Sequence, residues 1–104
     1  MSGAKPDFYD FTMGHVRLTV LRALVESPNY SANDSVLAQT IESVGLPVTR
    51  DQLRTQLGWL DEQGLIQIRR ASDTLMVAVA RERGVDVALG RAAVDGVQRP
   101  GPGR

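Results

Sequence analysis

The sequence predicts a single α+β domain in which three helices are followed by a two-stranded β-hairpin and a fourth helix. Apolar residues recur at helical spacing in the first 63 residues and again after residue 82. Between these two regions apolar and polar residues alternate, as they do in a half-buried strand. The chain has 104 residues, of which 42% are hydrophobic, and this composition suits one small core.

The first predicted helix runs from Asp7 to about Glu26 and carries two apolar stripes. One stripe would face the core and consists of Met13, Val16, Val20 and Leu24. The second stripe lies on a different face and needs its own cover, because one stripe is enough to dock a surface helix. A second monomer is the predicted cover, and the last helix folding back is the alternative. The predicted homodimer interface comprises Phe8, Phe11, His15, Leu18 and Val25.

The second helix is predicted to follow a break at Ser27-Pro28, since proline disfavours a helical conformation in the residue before it. Ser31 would cap the free amides of this helix. Asp34, three residues later, would lie at the positive end of the helix dipole. Gly45 can supply the left-handed residue that ends the helix.

The third helix is predicted to begin at Thr49, because Gln52 is placed to complete a capping box with it. It would stop at Gly64. The strand pattern from Leu65 to Arg70 and the β-branched stretch from Thr74 to Ala80 then predict a β-hairpin.

A final helix is predicted from Glu82 to Asp95, with apolar residues on one face. The elements together place the domain at residues 7–95. The segments 1–6 and 96–104 are predicted to be flexible tails.

The segment LPVTRDQLRTQLGWLDEQGLIQIRR, residues 46–70, resembles the DNA-reading half of the winged helix-turn-helix domain. Its most specific part is LGWLDEQGLI, residues 57–66, which is similar to a signature of bacterial regulators of the ArsR and MarR kind. Asp61 stands where that signature has glutamate. The resemblance covers residues 12–80 and implies a three-helix core with a two-stranded hairpin as the wing and a C-terminal helix.

A second resemblance lies in RGVDVALGRAAVDGVQRP, residues 83–100. This block resembles the C-terminal block of small winged-helix proteins encoded by Mu-like prophages. The resemblance implies a phage context, but fold and context alone do not decide a function.

The winged-helix resemblance implies a sequence-specific, DNA-binding transcriptional regulator. Its third helix would lie in the major groove of double-stranded DNA and its wing on the backbone. Arg50 and Arg54 share one face of that helix, and an arginine can bind guanine through two hydrogen bonds. The predicted DNA-contacting residues are Thr49, Arg50, Gln52, Arg54, Thr55, Arg69 and Arg70.

The charges of the same segment favour an alternative function. The four arginines between residues 49 and 74 are matched by four acidic residues, and the whole chain carries 12 basic and 12 acidic side chains. Asp51 could pair with Arg54 across one helical turn and leave an ordinary solvated face. The alternative is a winged-helix protein–protein interaction module of phage origin that does not bind DNA.

The composition argues against several other classes of protein. The chain has no cysteine and one histidine, so a metal-sensing site of the cysteine–histidine type is not expected. We find no phosphate-binding glycine loop and no nucleophile with a base at useful spacing, and we therefore predict no enzyme activity and no cofactor. No apolar run reaches the length of a membrane helix, and the predicted location is cytoplasmic.

Overall fold

A computed structural model describes residues 8–101 of the chain. The predicted flexible segment 1–6, Asp7 and residues 102–104 lie outside the described residues. The helices are α1 (Phe8–Val25), α2 (Asp34–Ser43), α3 (Arg50–Glu62) and α4 (Glu82–Ala88), and a short 3-10 turn spans Pro28–Tyr30. The strands are β1 (Ser31–Asn33), β2 (Ile66–Arg70) and β3 (Met76–Ala80).

Helix α1 lies at the centre of the domain and packs against the other three helices and the sheet. The predicted core stripe is confirmed, because all four of its members are buried together with residues from α2, α3 and α4. The fully covered core side chains include Val16, Val20, Leu24, Leu37, Leu53, Leu57 and Leu60. Burial of this apolar surface is what stabilises a domain of this size.

The sheet has three antiparallel strands in the order β1-β3-β2, so the predicted hairpin gains a third strand. Ala78 in β3 pairs with Ala32 of β1 on one side and with Ile68 of β2 on the other. The helix start predicted at Ser31 is wrong for this reason: Ser31 pairs with Val79 in the sheet. The residue that caps α2 is Asn33, whose Oδ1 accepts a hydrogen bond from the amide of Val36 at 2.9 Å.

The start of α3 is confirmed in detail. Thr49 Oγ1 accepts from the amide of Gln52 at 3.0 Å, and Gln52 Oε1 accepts from the amide of Thr49 at 2.9 Å. This reciprocal pair is the predicted capping box. Gly64, with φ +76°, turns the chain from α3 into β2.

Helix α4 is shorter than predicted, because it ends at Ala88 rather than at Asp95. Gly90 adopts φ +80° and turns the chain away. Gly84 brings the backbone of α4 against the backbone before β2, so closely that a Cβ there would overlap the carbonyl oxygen of Leu65. This glycine is therefore required by a close approach between two main chains.

The segment after α4 folds back onto α1 as far as residue 101, where the sequence predicts a flexible tail from residue 96. Val97 is buried in the core. The amide of Gln98 donates to the carbonyl of Gly14 at 3.1 Å, and Arg17 donates to the carbonyl of Gly96 at 2.8 Å. Local glycines and prolines suggest mobility, but they do not reveal these contacts with α1.

Candidate nucleic-acid interface

Helices α2 and α3 and the loop between them form a helix-turn-helix, and the outward face of α3 is mostly acidic and neutral. Asp51, Thr55 and Glu62 are exposed on it. A side chain at Gly58 would meet open space. Within residues 8–101 this face presents two carboxylates and no unpaired cation. A duplex lying on it would therefore face more negative charge than the sequence analysis predicts.

The arginines of α3 lie instead along its edge beside α2, where both bind Asp34. Arg54 Nε donates to Asp34 Oδ2 at 2.8 Å, and its NH2 lies at 2.8 Å from the same oxygen. Arg50 NH2 lies 3.4 Å from Asp34 Oδ1. The alternative pairing of Asp51 with Arg54 is therefore wrong, because Asp34 takes that place.

Asp34 is the first residue of α2 and its side chain is 0% exposed. Burial by itself raises the pKa of this carboxyl, but hydrogen bonds from Arg50 and Arg54 and the charges of both outweigh burial and hold the pKa below its ordinary value. The carboxylate is thus charged, buried and paired. Sequence reasoning placed Asp34 at a helix start and assigned it no partner, because the arginines that bind it are 16 and 20 residues away.

Arg54 also connects α3 to the hairpin, since its NH2 donates to the carbonyl of Thr74 at 2.5 Å. The Nε and NH2 donors of its guanidinium are therefore engaged within the protein. A guanine bound through two hydrogen bonds would compete with Asp34 or Thr74 for these donors. Arg54 thus connects α3 to both α2 and the hairpin, whereas the sequence predicts only that it contacts a base.

The other predicted contact residues fall into two groups. Thr49 and Gln52 hold the capping box with their side chains, and the Thr55 hydroxyl donates to the carbonyl of Asp51 at 3.2 Å. Arg69 and Arg70 are exposed at the distal end of β2, and in the described range neither forms an ion pair. The hairpin arginines are thus free to meet an anionic partner.

Only part of the predicted dimer interface is at the surface. Phe8 is 80% exposed and Phe11 is 54% exposed, and the ring of Phe11 meets the ring of His15 edge-on at 4.7 Å between centroids. Leu18, predicted to lie in a dimer interface, is 6% exposed and lies beside the C-terminal segment, so little of its side chain is available to a second monomer. Val25 is half-buried and lies near α4. The chain's own C-terminal segment thus lies against the second stripe at Leu18 and leaves Phe8 and Phe11 exposed.

Over residues 8–101 no group of histidine, cysteine or carboxylate side chains is arranged to hold a metal ion. In the same range no helix has both the length and the apolar character needed to cross a membrane.

Comparison with known proteins gives two curated relatives. The chain is 42% identical over 86 residues to the uncharacterized protein gp26 of Escherichia phage Mu, covering 83% of this chain and 88% of gp26. It is 45% identical over 67 residues to an uncharacterized protein of Haemophilus influenzae, covering 64% of this chain and 65% of that protein. The match to the Mu protein agrees with the predicted phage resemblance. No family model matches the sequence.

One solved structure, the complex structure of hsRosR-S1, has a similar fold with a TM-score of 0.59. The similarity covers 70% of this chain and 63% of that chain, at 18% sequence identity. This chain therefore spans somewhat less than two thirds of the solved one. At this identity the likeness shows the fold alone, which is that of a winged-helix domain.

Proposed function

Because the chain belongs to the family of gp26 of Escherichia phage Mu and has a winged-helix fold, we propose that it binds double-stranded DNA and acts as a transcriptional regulator. The N-terminal end of α3 would enter the major groove and the hairpin, as the wing, would lie on the flanking backbone. The observation that carries this proposal is the placement of unpaired arginines on the hairpin, whose turn Arg54 ties to α3.

The proposed contact involves the N-terminal end of α3 and not the whole length of the helix. Asp51 and Glu62 are exposed at opposite ends of the outward face of α3, where phosphates would be repelled. Arg50 is the first residue of α3, its side chain is 47% exposed, and one contact of 3.4 Å ties it to Asp34. The edge formed by Arg50 and the hairpin therefore offers the positive charge that DNA requires.

The acidic face of α3 also supports a second candidate, a protein–protein interaction module. A face without an unpaired cation suits a protein partner at least as well as a duplex. A titration of the unmodified protein with random and genomic duplexes at several salt concentrations separates the two functions. DNA binding requires an affinity that falls as salt rises. The absence of any binding at low salt would contradict the DNA proposal.

The hairpin arginines provide the sharpest test of the backbone contact. We expect the double change Arg69→Gln and Arg70→Gln to weaken binding about equally on all sequences, because phosphate contacts carry no base information. If both residues contact phosphates, the log–log slope of affinity against salt should flatten by about 1.8. Fluorescence anisotropy with a labelled duplex measures both quantities.

Arg99→Gln is the matched control, since Arg99 is an exposed cation that lies beside α1 rather than on the hairpin. This variant should keep the slope of the unmodified protein. A slope that is the same for the control and the double variant would mean that the hairpin does not touch DNA.

We also propose that the protein is a homodimer that associates through the exposed aromatic residues at the start of α1. Phe11→Asn should then shift the protein toward monomer in sedimentation velocity, because it removes apolar area from the contact. Tyr30→Asn is the control, because Tyr30 is 50% exposed but lies on the 3-10 turn. Sedimentation of the unmodified protein as a monomer at every concentration would overturn this part of the proposal.

A further inference from the structure

Asp51 is an unpaired carboxylate on the surface that is proposed to face DNA. It is the second residue of α3 and is exposed. Within residues 8–101 its carboxylate forms no ion pair and accepts no side-chain hydrogen bond, and Arg54, three residues along the helix, is held by Asp34. A carboxylate left free at this position needs an explanation if the surface meets a polyanion.

Phosphate cannot be the partner of this carboxylate, but the amino groups of cytosine (N4) and adenine (N6) in the major groove can, and of these two bases cytosine is the one whose pairing partner presents two acceptors. The exocyclic N4 amino group of cytosine is a hydrogen-bond donor there, and aspartate is among the side chains that accept from it. The neighbouring guanine of the same base pair presents O6 and N7, which are acceptors. A G·C pair therefore offers a donor beside two acceptors.

Arg50 and Asp51 present the complementary arrangement at the start of α3. The Arg50 guanidinium is tied to Asp34 by one NH2 hydrogen bond, so Nε, NH1 and the second NH2 hydrogen remain, and one edge of the guanidinium can still donate two parallel hydrogen bonds to a ligand. Asp34 is buried and its pKa is lowered, so it stays charged and restrains Arg50 on this edge. Arg50 therefore supplies donors, and Asp51, the next residue along the helix, supplies an acceptor.

We propose that Arg50 and Asp51 read one G·C base pair, with Arg50 donating to guanine O6 and N7 and Asp51 accepting from cytosine N4. Asp34 is the positioning residue for Arg50. This inference rests on the proposed DNA-binding function and deepens it by naming the specificity-determining residues.

The free carboxylate gives specificity by repulsion as well as by attraction. Where guanine or thymine stands in place of the cytosine, Asp51 faces acceptor groups and phosphates without a donor, which costs affinity. An adenine there offers its N6 donor, but the thymine paired with it gives Arg50 the single acceptor O4. Discrimination is a difference between two affinities, and a group that penalises wrong sites widens it. The inference thus explains why a DNA-facing helix would carry an acid near its N-terminus.

The test begins with selection of a preferred duplex from a random library with the unmodified protein. Asp51→Ala is then compared with Asp61→Ala, which removes an exposed carboxylate from the other end of α3. For Asp51→Ala we expect random-duplex affinity to rise, and discrimination between C and the other bases at one position to fall by about fivefold to 150-fold. Asp61→Ala should leave that discrimination unchanged.

The role of Arg50 is tested on the selected duplex with 7-deazaguanine, which lacks the N7 acceptor. The unmodified protein should bind this duplex more weakly than the normal one, whereas Arg50→Ala should bind both equally. Arg50→Ala must also melt as the unmodified protein does, within the small change that an exposed substitution produces.

The outcomes separate this inference from the proposed function. Selection of no G·C pair, or equal effects of Asp51→Ala on selected and scrambled duplexes, would overturn the reading by Asp51 while leaving DNA binding intact. Failure of the unmodified protein to bind any duplex would overturn both proposals.

Discussion

Replacing Arg54 by alanine is expected to lower the free energy of unfolding by about 3 kcal/mol, which is large for a partly exposed surface residue. The reason is Asp34, whose side chain is 0% exposed and whose closest charged contact, at 2.8 Å, comes from Arg54. Removing one partner of a buried pair leaves the other charge without compensation. The change also removes the hydrogen bond to Thr74. Denaturant unfolding followed by circular dichroism measures the loss.

Arg50→Ala is the matched control for this prediction. Its contact with Asp34 is longer, at 3.4 Å, and its side chain is 47% exposed, so the expected loss is below about 1 kcal/mol. Equal losses for the two variants would show that the buried carboxylate depends no more on Arg54 than on Arg50. Sequence reasoning alone would have predicted a negligible effect at both positions.

The same pair should give the protein an acid-sensitive component of stability. The folded-state pKa of Asp34 is lowered, so its contribution is present above the ordinary aspartate pKa and is lost as the pH falls through the lower, folded-state value. The window therefore lies below about pH 4. Asp34→Asn should remove this component, and its stability should change less with pH there. An Asp34→Asn protein that matches the unmodified one at every pH would contradict the assignment.

Gly84→Ala is the second change with a large expected effect. The added Cβ would overlap the carbonyl oxygen of Leu65 and lie 3.2 Å from Leu21 Cδ2, and the main-chain atom cannot move as a flexible side chain can. Helix α4 would have to shift away, and overpacking of this kind costs about 1–3 kcal/mol. A further loss is expected because the amide of Arg81 donates to the same carbonyl at 3.0 Å.

Gly58→Ala is the control for the glycine change. It makes the same substitution inside a helix, but the new Cβ would meet nothing within 4 Å. This variant should become more stable by about 0.5–1 kcal/mol, because alanine favours the helix over glycine. Thermal unfolding of the two variants should therefore move in opposite directions. A Gly84→Ala protein as stable as the Gly58→Ala protein would show that α4 is not closely packed on Leu65.

Features that depend on neighbouring residues were predicted well. The capping box at Thr49 and Gln52, the apolar stripe of α1 and the stop at Gly64 each follow from a few adjacent positions. These patterns are set by local backbone geometry and by the period of burial, which a sequence displays directly.

Features that depend on distant contacts were missed. Strand β1 has only three residues, and its pairing with β3 stabilises it. Ser31 therefore pairs in the sheet and does not cap α2. The turn at Gly90 and the contacts with α1 shortened α4 and fixed the segment that followed it. The pairing of Asp34 with Arg54 likewise joins two helices that only the fold brings together. The hairpin arginines were placed by the strand pattern, but their function stays a prediction.

The position of the hairpin is restrained from two directions. Its strand β3 pairs with β1, which leads directly into α2, and Arg54 binds the carbonyl of Thr74 beside the hairpin turn. A hairpin held in this way has little conformational entropy left to lose when it meets a partner. When the hairpin binds a partner, it therefore avoids much of the entropy cost of ordering a mobile loop. Dissociation of the complex would then require its contacts with the partner to break, and not a loop to relax.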